Sequence, residues 1–172
     1  MGVNTESDST SWDAVVESPK GSRNTYLFDQ VSGRIRLEHS LFTATCYPVD
    51  YGFLPGTVAE DGAPLRVLVL LEESTFPGCH ITVRPVGVLW VTEGGERQAT
   101  ILAVPATDPR FSHVQDIGDV DHYTLDEISH FFDVYQQLEP GACAKTVGWD
   151  RRDRAVDAIS AAQGRHLAAA LR

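Results

Sequence analysis

Lysine is almost missing from this sequence. Of its 14 basic side chains only Lys20 and Lys145 are lysines and the rest are arginines, so a site that needs several compact ammonium groups has nothing to be built from. Positive charge is scarce altogether: 14 Lys plus Arg stand against 24 Asp plus Glu, a formal net charge of −10. That balance repels a nucleic-acid duplex or an anionic membrane surface at long range, and neither is expected as a partner. Cysteine is sparse too. Cys46, Cys79 and Cys143 are odd in number and form no CxxC pair, which argues against a disulfide framework and a zinc cage. They read as small buried hydrophobes. The longest aliphatic run, 67–71 (VLVLL), falls far short of the roughly 20 residues that cross a bilayer. With no basic-then-apolar start either, the expectation is a cytoplasmic protein.

What is present suffices for one core. The 172 residues, 42% hydrophobic and 22% charged, fit a single domain. Residues 1–13 (MGVNTESDSTSWD) have no periodicity that buries a face and are expected to be a flexible leader to a domain over 14–172. From there to Pro105 the sequence is strand-like. Residues 26–28 and 34–37 flank a Gly-bearing turn, a hairpin pattern. The runs 65–71, 81–91 and 100–104 are apolar or β-branched and punctuated by Pro and Gly, as in the short strands of a barrel or sandwich. After Asp121 the period changes. Thr124 and Glu127 read as a capping box, followed by Leu125, Ile128, Phe131, Phe132, Tyr135 and Leu138 at helical spacing, with a stop at Pro140-Gly141. A second helix is predicted over 151–171, with Asp150 near its start and Val156, Ile159, Ala162 and Leu167 on one stripe. The predicted class is α+β, a β-barrel with two flanking C-terminal helices.

Three phrases are more specific: 17–26 (ESPKGSRNTY), 47–53 (YPVDYGF) and 61–69 (DGAPLRVLV). In this order and spacing they resemble the soluble family I inorganic pyrophosphatases, whose matching phrases read E-I-P-K-G-x-R-N-K-Y-E, Y-P-x-x-Y-G-[FY] and D-G-D-P-[LV]-D-[AV]-L-V. The segments 84–87, 113–119, 130–132 and 135–141 are similar to the bacterial branch of that family. The resemblance implies a five-stranded OB-like barrel, a homo-oligomer that in bacteria is often a hexamer, and a carboxylate cage holding several Mg²⁺ ions beside Lys, Arg and Tyr groups. Hydrolysing a polyanion with water demands such neutralising charge.

Against that pattern, Glu17, Tyr51, Asp61 and Tyr135 stand where the resemblance implies cage or phosphate-site residues, with Glu93 in place of an aspartate. Other positions differ: Thr25 and Gln136 stand for lysines, Leu27 for a glutamate and His39 for an arginine. Gln98 and Thr100 fall where an aspartate and a lysine belong. Ala63 and Arg66 replace two carboxylates of the central phrase, taking its local formal charge from about −3 to 0, and a guanidinium there repels Mg²⁺ even at an effective dielectric near 20. On that charge arithmetic the sequence predicts a degenerate, repurposed enzyme. It would bind no cofactor and act by acid/base catalysis (cyclisation, isomerisation or elimination) on a small organic, specialised-metabolite substrate.

In that reading Glu17 and Asp61 are bases, Tyr51 and Tyr135 proton donors or oxyanion stabilisers, and His39 serves either role. Arg66 clamps a substrate anion, Thr25, Leu27, Ala63 and Glu93 line the pocket, and Cys46 is a candidate nucleophile. Plainer roles stand beside these: Arg66 as an internal counter-ion for Glu17 and Asp61, His39 as a solvated histidine, the tyrosines as packing. His113, His122 and His130 are expected to be structural, and Asp116, Asp119, Asp121 and Glu127 lack EF-hand spacing. The alternatives are a residual Mg²⁺-dependent inorganic diphosphatase and a non-catalytic binding or regulatory homologue.

Overall fold

The computed structural model describes residues 10–138 and 144–172, with 136–138 by backbone alone. In chain order the strands are β1 (Trp12–Ser18), β2 (Asn24–Asp29), β3 (Arg34–Ser40), β4 (Asp50–Leu54), β5 (Leu65–Val69), β6 (His80–Glu93), β7 (Glu96–Pro105) and β8 (Lys145–Arg151). The helices are α1 (His122–Leu138) and α2 (Arg152–Ala170). Strands β1, β4, β5, β7 and β6 are successive neighbours, and β1 also pairs with β6, which closes a five-stranded ring with β8 added outside β6. The predicted OB-like barrel with two C-terminal helices is this architecture. Closure leaves the ring without free edges. Strands β2 and β3 form a separate hairpin around the turn that the sequence marks.

The unalternating run 67–71 is explained by covering on both faces. Val67 and Val69 pack with Ala155, Ile159 and Ala162 of α2, whereas Leu68 packs with Ile128, Phe131 and Phe132 of α1. Each such fully buried aliphatic side chain contributes about 1.5–3 kcal/mol. The approach of β1 to β4 depends on Gly52, where a Cβ would stand 1.9 Å from the Val15 carbonyl oxygen.

Several local expectations change. Strand β1 begins at Trp12, inside the stretch expected to be leader, because Trp12 and Asp13 pair with Val83 and Thr82. Thr124 is not a cap. The Asp121 carboxylate accepts the Tyr123 N–H at 3.0 Å and its carbonyl accepts the Thr124 and Leu125 N–H groups, so α1 starts at His122. On α2 the buried stripe is Ala155, Ile159 and Ala162, while Leu167 is 65% exposed. Strand β8, unmarked in the sequence reading, pairs along β6. Cys46 is exposed and Cys79 half-buried rather than core. Cys143 and the Pro140-Gly141 stop lie outside the described residues. Among the described residues no helix is long and apolar enough to cross a membrane.

Candidate active site

The C-terminal end of β1, the start of β4 and the start of β5 bring Glu17, Tyr51 and Arg66 together. Glu17 is 5% exposed. Its Oε1 accepts the Phe28 N–H at 2.8 Å, and its Oε2 faces Arg66 Nη1 at 3.5 Å. Burial raises the Glu17 pKa, against the Phe28 hydrogen bond and the Arg66 charge, which lower it. The Arg66 guanidinium lies 5.9 Å from the centre of the Tyr51 ring, and β-pairing sets Arg66 between Phe53 and Thr100.

Tyr51 stacks on Tyr47 at 5.5 Å and packs against Phe132 at 6.1 Å. Burial, with Tyr47, Glu17 and Glu93 adding to it against Arg66, pushes its phenol up to about 12. At neutral pH it is therefore a hydrogen-bond donor and not a phenolate. Asp61, exposed in the β4–β5 connection, accepts the Ala63 N–H through Oδ1 at 3.0 Å.

Two cavities meet here. One of about 220 Å³ is walled by Tyr51, Asp61, Arg66, Glu93, Thr100 and Tyr135. The other, about 90 Å³, is walled by Glu17, Thr25, Leu27, Tyr51, Arg66 and Tyr135. Tyr51, Arg66, Phe132 and Tyr135 belong to both walls, so the two cavities adjoin as lobes on either side of the Arg66 guanidinium. Among the described residues the charged groups of this cleft are one guanidinium and four carboxylates, Glu17, Glu38, Asp61 and Glu93, with phenol donors beside them; the guanidinium and phenols are suited to holding a phosphate-type anion and the carboxylates to sharing a cation with it.

Eight of the sequence-predicted residues thus converge: Glu17, Thr25, Leu27, Tyr51, Asp61, Arg66, Glu93 and Tyr135. Ala63 is adjacent, through its N–H to Asp61. His39 and Cys46 are not in these walls. His39 is paired with Thr25 across the hairpin, stacks on Phe42 at 5.6 Å and lies 3.8 Å from Glu38; Cys46 is exposed. The Gln136 side chain is outside the described residues. Sequence reading missed Val91 and Phe132 as apolar wall, since only the Val91↔Gln98 register shows that these strands meet there.

The family model described as "Pyrophosphatase: Inorganic pyrophosphatase" matches residues 14–166. The chain belongs to the inorganic pyrophosphatase family. It is 51% identical over 140 residues to an inorganic pyrophosphatase of Leifsonia xyli, covering 81% of this chain and 86% of that one. It is 48% identical over 144 residues to one of Streptomyces coelicolor, covering 84% and 88%. The crystal structure of the inorganic pyrophosphatase from Thermus thermophilus superposes with a TM-score of 0.88 at 39% identity, covering 96% of both chains.

Membership at this identity overturns the repurposed acid/base enzyme with a degenerate site and a specialised-metabolite substrate. The expectation of no cofactor falls with it, because the resemblance that carries the family also carries magnesium. Formal charge at a few positions is a weaker indicator than the phrases shared along most of the chain. The structure shows what the charge count obscured: Glu17, Asp61 and Glu93 still surround Arg66 in one cleft.

The donor set indicates how magnesium fits. Among the described residues no three His, Cys, Asp or Glu side chains are grouped to hold an ion, both Glu17 oxygens are engaged, and Asp61 and Glu93 remain at the rim. Magnesium sites commonly use one or two carboxylates plus substrate phosphates. The cleft fits an ion held by one or two carboxylates together with the oxygens of a bound anion, not a cage of protein ligands alone.

Proposed function

We propose that this chain hydrolyses inorganic pyrophosphate to two phosphates with magnesium. The supporting observation is the convergence of Glu17, Tyr51, Asp61, Arg66, Glu93 and Tyr135 in one cleft of a chain that belongs to this family. Asp61 and Glu93 would hold the ion together with the substrate, and magnesium bound there would supply neutralisation of phosphoryl charge. Arg66 binds a phosphoryl group. Tyr51 and Tyr135 donate hydrogen bonds to the departing phosphate. Glu17, whose pKa is raised by burial, accepts the proton of the attacking water. Thr25 and Leu27 shape the smaller lobe.

A homo-oligomer, a hexamer on the family resemblance, and a cytoplasmic location belong to the same proposal; light scattering of the pure protein reads the first. The activity is tested by following the ³¹P resonance of pyrophosphate with the protein and Mg²⁺, then with EDTA. Conversion to phosphate that EDTA stops supports the proposal, and a persistent pyrophosphate signal at every Mg²⁺ concentration overturns it.

A further inference from the structure

A second cavity, of about 250 Å³, lies between the β6–β7 ribbon and α2, and nothing in the hydrolysis uses it. Its wall gathers Arg97, Arg154 and Arg165 with Trp90 and Gln98. Three guanidinium groups in one cavity are conspicuous in a chain of net charge −10. Only Glu60 and Asp157 oppose them in that wall, and the Arg154–Asp157 contact is a long 3.9 Å between exposed side chains, worth little.

Two of the arginines are held in place. The Arg97 guanidinium stacks 4.2 Å over the Trp90 ring, a cation–π contact that fixes its orientation. Arg165 donates its Nε–H to the Val58 carbonyl at 2.8 Å, and its terminal nitrogens remain as further donors. Trp90 adds an independent sign: its indole Nε1 is buried with no hydrogen-bond partner among the described residues, which costs free energy unless something supplies an acceptor. The remainder is apolar, with Leu65, Ala99, Ala158 and Ala161 between the polar groups.

We propose that this cavity is a binding site for a small organic anion: a phosphomonoester or carboxylate head received by the arginines and Trp90, with an apolar or aromatic body on the alanine and leucine wall. Donors outnumber acceptors, so an oxyanion is favoured over a cation or a sugar. The apolar area makes an organic body better than a bare ion. The site adjoins the catalytic cleft, since Ala59, Gln98 and Ala99 belong to both walls, and Trp90 pairs with Ala99 next to Thr100, the neighbour of Arg66.

Calorimetric titration of phenyl phosphate, benzoate and inorganic phosphate into the full chain tests it. The expected result is one saturable phenyl phosphate or benzoate site, weakened at least tenfold in Arg97→Gln/Arg154→Gln and unchanged in Arg66→Gln. Both substituted arginines are exposed, so the double variant keeps the fold. Trp90→Phe, which removes only the indole donor, is expected to weaken the same site. The organic arms show whether the head is phosphate or carboxylate. The proposal is overturned by no saturable binding, by inorganic phosphate binding Arg66→Gln, whose cleft lacks its phosphate-binding cation, as tightly as phenyl phosphate does, by full affinity in the double arginine variant, or by loss in Arg66→Gln alone, which would place the ligand in the cleft.

Discussion

Arg66 Nη1 stands 3.5 Å from Glu17 Oε2 between the two lobes of the cleft. The other Glu17 oxygen is taken by the Phe28 N–H, so the carboxylate meets its substrate already paired, and an incoming phosphoryl group competes with Glu17 for the same guanidinium. Arg66→Gln removes the one cation in the wall of either lobe. A hydrogen bond to a charged group contributes about 1.5–3 kcal/mol, so KM for magnesium pyrophosphate is expected to rise by roughly ten- to a hundredfold. Steady-state kinetics on the two proteins checks this.

The Glu17 pKa lies above the ordinary glutamate value of 4.5 in the folded protein, burial being the largest cause. The folded state therefore holds that proton more tightly than the unfolded state, and Glu17 costs stability as pH rises from 4.5 through the folded pKa. Glu17→Gln keeps a carbonyl acceptor for the Phe28 N–H and cannot ionise. The melting temperature of Glu17→Gln minus that of the unaltered chain is expected to increase across this window and then level off. Thermal melts from pH 4 upward read it, and a flat difference would refute it.

Tyr51, with its pKa at about 12, remains a phenol through the neutral range. Tyr51→Phe keeps the stacking on Tyr47 and Phe132 and deletes only the donor. The expected outcome is an unchanged melting temperature within about 1 kcal/mol of stability, with kcat lower by roughly 10²-fold, in line with loss of one donor to developing oxyanion charge. No Tyr51 limb should appear in the rate profile of the unaltered chain below pH 10.

Ala63 and Arg66 stand where the family phrase has carboxylates. Mg²⁺ alone is expected to bind the unaltered chain too weakly to titrate at millimolar concentration, whereas with a non-hydrolysable pyrophosphate analogue it binds saturably. Ala63→Asp/Arg66→Asp adds two carboxylates and removes the repelling cation, so Mg²⁺ alone should then bind. Calorimetry with and without the analogue distinguishes these outcomes.

How far the sequence led depends on the type of signal. The hairpin around residues 29–33 and the helical period of Leu125, Ile128 and Phe132 depend on local spacing and are legible directly. Ring closure between β1 and β6 and the addition of β8 depend on pairings between distant segments, so Trp12 reads as leader and the 145–151 segment passes unmarked. The cleft is legible through its phrases: Glu17, Tyr51, Asp61 and Tyr135, which the resemblance singles out, all lie in the walls of the two lobes. His39 lies outside the two walls although its cross-strand partner Thr25 is in one of them, a distinction that alignment to a functional position does not make. Arg66 misled most. Formal charge made it a bar to magnesium, whereas the fold puts it against Glu17 with Asp61 and Glu93 still at the rim.

Hydrolysis of pyrophosphate in this cleft is the proposed function. The most direct measurement is the initial rate of phosphate release from pyrophosphate and Mg²⁺ by the unaltered chain beside Arg66→Gln/Tyr51→Phe. The prediction is a saturable, magnesium-dependent rate that falls at least a hundredfold in the double variant. No release above the uncatalysed rate, or an equal rate in both proteins, would contradict it.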